Sequence, residues 1–146
     1  MDFDVEVKIA VYNHFASNAE RPAVADIATR VSSSPDKVLE SYQRLRAQRV
    51  LVLERDGQSI RMAPPFSGIP TQHVVEAGGN SYYANCAWDA FGIAAALHIP
   101  ATIKSQCGQS GQLLTLAIDD TGPEESDWLF HCLVPAAHWW DDIVFT

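Results

Sequence analysis

The sequence predicts an α+β protein: a winged-helix-like helical region over residues 1–66, then a mixed β-sheet domain over 67–146 whose one short helix carries the candidate active site. Three observations lead there. Apolar residues recur at helical spacing up to Gln48, glycine-centred hairpin signals dominate from Gln72 onward, and the Pro- and Gly-rich stretch 63–70 separates the two patterns. At 146 residues, with 47% hydrophobic and 19% charged residues, the chain has the length and composition to bury a core without disulfides.

Taken in order, residues 4–17 place Val5, Val7, Ile9, Ala10, Val11, Tyr12 and Phe15 in a first helix, which Arg21-Pro22 ends. Residues 24–31 give a short amphipathic helix. Ser32-Ser33-Ser34 makes a turn, and Pro35 at a first helical position opens a third helix to Gln48 with Val38, Tyr42 and Leu45 at helical spacing. Residues 49–53 and 59–62 read as a hairpin around Asp56-Gly57. Beyond the connector, strands over 72–77 and 81–84 flank Gly78-Gly79-Asn80 and deliver the chain to Asn85. Asn85 is the expected N-cap of a helix from Cys86 to Leu97, with Pro100 as its stop. A second hairpin joins 101–107 to 112–118 through Gly108 and Gly111, and a polar loop covers 119–127. Residues 128–134 read as a buried strand, 135–142 as a short helix or turn, and 143–146 as a strand just beginning. Along 128–134, His131 and Cys132 alternate, so one of them is expected to face the core.

The net charge of -8 argues against a nucleic-acid partner, which demands a concentrated basic surface. The third helix carries Lys37, Arg44 and Arg46, but also Asp36 and Glu40; mixed charge is the pattern of a solvated face, and a structural module is the favoured reading. No stretch has transmembrane length, and Met1-Asp2-Phe3-Asp4 is unlike a signal peptide, so a cytoplasmic protein with no membrane partner is expected. Cys86, Cys107 and Cys132 are an odd number at wide spacing, as for reduced thiols. No Cys-x-x-Cys accompanies them, and no resident cofactor is expected. Oligomeric state leaves no mark in the sequence.

The chemistry concentrates at Cys86 and Asp89, which share a helix face at spacing i, i+3. Unpaired N–H groups and the positive end of a helix favour a thiolate there. The carboxylate opposes that ionisation, yet it can carry a proton if burial raises its pKa. Taken alone, such a pair is more often a buried inert cysteine beside a capping carboxylate. Tyr83, Trp88, Trp139 and Trp140 are candidates to wall a hydrophobic pocket, although packing is the commoner use of such aromatics.

Pro70-Thr71, the Gly78-Gly79 hairpin, Tyr83-Ala84-Asn85-Cys86-Ala87-Trp88-Asp89, the small-residue helix to Leu97, and Ser105-Gln106-Cys107 through Ser110-Gly111 follow one another in a distinctive order. In that order and spacing the chain resembles the organomercurial (alkylmercury) lyases, which also begin with a winged-helix-like region. The resemblance implies that Cys86 binds the mercury of substrate or product and that Asp89 handles the proton that cleaves the carbon–mercury bond. It implies a structural role for Cys107. The family's second catalytic cysteine, on a strand near the C-terminus, has Thr146 or a position beyond it as its counterpart. The implied partners are a small organomercurial and the cellular thiols that receive Hg²⁺. Two other readings stay open: a catalytically reduced relative that binds a hydrophobic or thiophilic ligand, and a ligand-responsive regulator whose winged helix contacts DNA.

Overall fold

A computed structural model of the chain describes residues 1–144. Helices α1 (Phe3–Asn18), α2 (Val24–Arg30) and α3 (Pro35–Ala47) come first. Asp2 caps α1 by accepting from the Asp4 N–H at 2.8 Å, and Ser34 caps α3 just ahead of Pro35. Their apolar faces meet: Val7, Val11 and Phe15 of α1, Ile27 of α2, and Val38, Tyr42 and Leu45 of α3 are all buried. Asp4 fixes α1 on α3 by accepting from Arg44 Nη2 at 2.9 Å and from Ser41 Oγ at 2.6 Å.

A three-stranded antiparallel sheet follows, β1 (Val52–Leu53), β2 (Ile60–Ala63) and β3 (Phe66–Ser67), in that order. The last of these lies inside the stretch read as a connector. Phe66 stacks on Phe15 of α1 with centroids 5.3 Å apart and rings 9° from parallel, and it also packs on Tyr12. Its backbone bridges to Ala84, so the residue binds the helices to the second sheet.

That second sheet has the order β5-β4-β6-β7-β8, with β4 (Val74–Ala77), β5 (Asn80–Tyr83), β6 (Ala101–Gln106), β7 (Leu113–Asp119) and β8 (Gly122–Pro123). Every pairing is antiparallel. The β4–β5 turn needs two left-handed residues, which Gly78 (φ +57°) and Gly79 (φ +81°) supply. Helix α4 (Ala87–Leu97) crosses from β5 to β6, burying Ala90, Ile93 and Ala94. The interior is continuous, and Val75, Tyr82 and Ile103 of the second sheet join the helical residues in one core. Tyr82 adds a polar tie, its hydroxyl donating to the Ala16 carbonyl of α1.

The C-terminal part departs from expectation. Residues 128–134 form no strand, and Trp128, Leu129, Phe130 and Leu133 are exposed, Leu129 by 93%. Apolar composition makes a strand only where a ladder partner is offered. The free edge of β7 pairs only with the two residues of β8. Neither His131 nor Cys132 faces the core; both are exposed. The short helix is present as a 3-10 turn over Ala136–Asp141. Ile143 and Val144 are not in a strand, and Phe145 and Thr146 lie outside the described residues.

Candidate functional site

The chain leaves β5 at Tyr83, is bridged to β3 at Ala84, and enters α4 three residues later. Cys86, not Asn85, is the N-cap. Its backbone is extended (φ -152°, ψ 177°), and its Sγ accepts from the Asp89 N–H at 3.4 Å, the place a Ser or Asp oxygen usually takes. Asn85 is displaced from the cap because its amide is engaged elsewhere. Its Nδ2 donates to Asp89 Oδ2 at 3.0 Å, to the Phe66 carbonyl at 3.1 Å and to the Pro65 carbonyl at 3.3 Å. Gly92, one turn into α4 from Asp89, lets the helix lie against Pro65; a Cβ there would come within 3.1 Å of the proline Cβ.

Burial sets the electrostatics. Cys86 is half-buried, and desolvation pushes its thiol above the ordinary range; the backbone N–H of Asp89 opposes this, and the Asp89 carboxylate adds to it. The thiolate expected from the helix terminus is therefore outweighed, and the resting form at neutral pH is the thiol. Asp89 is raised as well, by burial first, with the Asn85 hydrogen bond pulling the other way. Both groups hold their protons more tightly than an exposed thiol or carboxyl does. A proton lost by one can be taken up by the other.

Two neighbours come from far along the chain. Tyr12 of α1 donates to the Pro64 carbonyl at 2.9 Å; burial and then the charge of Asp89 raise its pKa. The electrostatic influence of Cys132 also reaches Cys86. No spacing in the sequence announces either one. The Asn85–Asp89 contact had a signal in its i, i+4 spacing.

Of the aromatic candidates, Trp88 is 57% exposed and packs tilted on Phe130 with centroids 5.8 Å apart, laying the C-terminal segment across the start of α4. Tyr83 is half-buried on β5. Trp139 and Trp140 are half-buried, and the Trp139 indole donates to the Val134 carbonyl at 2.7 Å and to Cys132 Sγ at 3.2 Å. Cys107 sits apart, at the β6–β7 turn, with its Sγ accepting from the Ser110 N–H at 3.5 Å. A cavity of about 830 Å³, lined by Glu76, Asn80, Thr102, Asp119 and Glu124, includes none of these residues. Among the described residues no three His, Cys, Asp or Glu side chains are grouped to hold a metal ion. Among the described residues no helix is long and apolar enough to cross a membrane.

Comparison with known proteins adds three findings. The family model for alkylmercury lyase matches residues 66–146. A solved structure, the mercury-bound form of MerB2, is similar in fold, with a TM-score of 0.66 and 19% identity over 84% of this chain. The chain spans 60% of that structure's length. No curated protein matches.

Proposed function

The chain belongs to the alkylmercury lyase family, and from that membership we propose that it cleaves carbon–mercury bonds by thiol capture followed by protonolysis. Mercury is the softest of acids and selects sulfur over oxygen and nitrogen, so the capturing atom is Cys86 Sγ. The thiol must lose its proton as the S–Hg bond forms. Asp89, three residues on, is the base that takes it, so that R–Hg–X, where X is the ligand on which the substrate arrives, becomes R–Hg–S–Cys86, X⁻ departs and Asp89 is left neutral. The proton then passes from Asp89 to the carbon, the C–Hg bond breaks, and R–H leaves. Hg²⁺ remains on sulfur until cellular thiols take it away. Mercury is substrate and product here, and the protein needs no resident metal.

The observation that carries this reading is the shared raised proton affinity of two groups at one helix start, Cys86 and Asp89. A buried carboxyl is a competent proton carrier near neutral pH, which an exposed one is not. The test is benzene release from phenylmercury in excess thiol, comparing wild type with Cys86→Ala. Release by wild type and none by the variant is expected; a wild type that releases no benzene would sink the proposal. Mass spectrometry of the same samples separates turnover from bare capture, because a stable mercury adduct without benzene marks a binding protein.

A further inference from the structure

We infer that Asn85 is the positioning residue for Asp89, holding one carboxyl oxygen as an acceptor so that the other, Oδ1, takes up and delivers the proton. This rests on the proposed proton-carrying role of Asp89. Three acceptors surround Asn85 Nδ2 within 3.3 Å, and two of them, the carbonyls of Pro65 and Phe66, can only accept. The amide's NH₂ end must therefore face them. The shortest of the three contacts, 3.0 Å, directs one N–H to Asp89 Oδ2 and leaves the other to the two carbonyls, and a proton on that oxygen would compete with it. The acidic proton resides on Oδ1.

The rest of the amide supports the assignment. Its Oδ1 is buried and has no partner among the described residues. An unsatisfied buried acceptor costs about 1–3 kcal/mol, so the side chain is not arranged for stability alone. Its anchorage is also rigid, since Pro65 and Phe66 are themselves packed, Pro65 against Gly92 of α4 and Phe66 against Phe15 of α1. Three titratable groups surround this arrangement: Tyr12 from α1 and Cys86 ahead of α4 feel Asp89 directly, and Cys132 from the C-terminal segment acts on Cys86.

The experiment joins carboxyl ¹³C NMR titration of Asp89 to the pH dependence of benzene release from phenylmercury, in wild type, Asn85→Ala and Asn85→Ser. Loss of the N–H raises the Asp89 midpoint, moves the alkaline limb of the rate profile upward, and lowers kcat by roughly 10-fold or more with little change in KM. Asn85→Ser keeps a hydroxyl that can donate to one of the two carbonyls, and it is read if the alanine variant does not fold. A folded variant whose Asp89 midpoint and rate profile match wild type overturns the inference. If wild type releases no benzene, the lyase reading fails, and the NMR midpoint alone still decides whether Asn85 holds Asp89.

Discussion

Cys86 and Cys107 stand in nearly the same local geometry and have opposite acidities. Each sulfur accepts a backbone N–H from three residues on, Asp89 at 3.4 Å and Ser110 at 3.5 Å. Cys107, on an open turn, is lowered by its hydrogen bonds from Ser110 and Gln109. Cys86 is raised, because burial at the start of α4 outweighs the same kind of hydrogen bond. The lesson is that a capping N–H does not by itself make a reactive thiolate; the surrounding dielectric decides its effect. In the proposed mechanism the working cysteine is the less acidic one, and it depends on a neighbouring base. A thiol that stays protonated until a soft metal arrives is also protected against indiscriminate oxidation.

The largest effect that sharpens this contrast comes from removing each sulfur in turn. Cys86→Ala should bring benzene release from phenylmercury to background, whereas Cys107→Ala should stay within about threefold of wild type, since surface changes distant from the chemistry act weakly. The reverse ranking would assign the chemistry to the wrong turn. Next, Asp89→Asn should lower kcat by roughly 10²–10⁴, the usual yield of a positioned acid–base group. The same substitution should stabilise the fold at neutral pH. The folded pKa of Asp89 lies above the ordinary 3.8, so the stability it contributes is complete below 3.8 and is lost as pH rises through the folded value. Urea unfolding at several pH values should show a gain for Asp89→Asn that grows with pH and vanishes in acid.

Alkylation gives a smaller and more direct reading. With Cys132→Ser as background, peptide-resolved iodoacetamide labelling should show Cys107 reacting faster than Cys86 at pH 7, with midpoints below and above 9.0 respectively. Equal midpoints would remove the contrast. The smallest effect belongs to Ser110→Gly, which takes away the leading hydrogen bond to Cys107. Its labelling midpoint should rise toward 9.0 while benzene release is unchanged.

Much of the fold was legible because it is specified locally. The glycine pair at 78 and 79, Pro35 behind Ser34, and the small-residue run to Leu97 each determine their own turn or helix. The misses share one physical cause, which is dependence on distant groups. Residues 128–134 have strand composition but pair with no edge of either sheet. Phe66 reads as part of a loop until Phe15 and Ala84 arrive to pair with it. At the site, the string containing Cys86 and Asp89 is local and could be read, but Asn85 was placed as the cap because its carbonyl partners at Pro65 and Phe66 lie 20 and 19 residues away. The direction in which the Cys86 thiol is shifted has the same dependence, since burial is a property of the whole chain.

The two prolines before Phe66 carry a consequence for engineering. The Pro64 carbonyl is held by Tyr12 of α1 and the Pro65 carbonyl by Asn85 beside α4, so consecutive carbonyls are held by two different elements. Through Asn85 they connect α1 to the Asp89 carboxyl by a chain of hydrogen bonds. Trimming the first 20 residues to obtain a minimal catalytic fragment would remove one of those grips, along with Phe15 beneath Phe66. Truncations or fusions meant to preserve the site should therefore leave α1 intact.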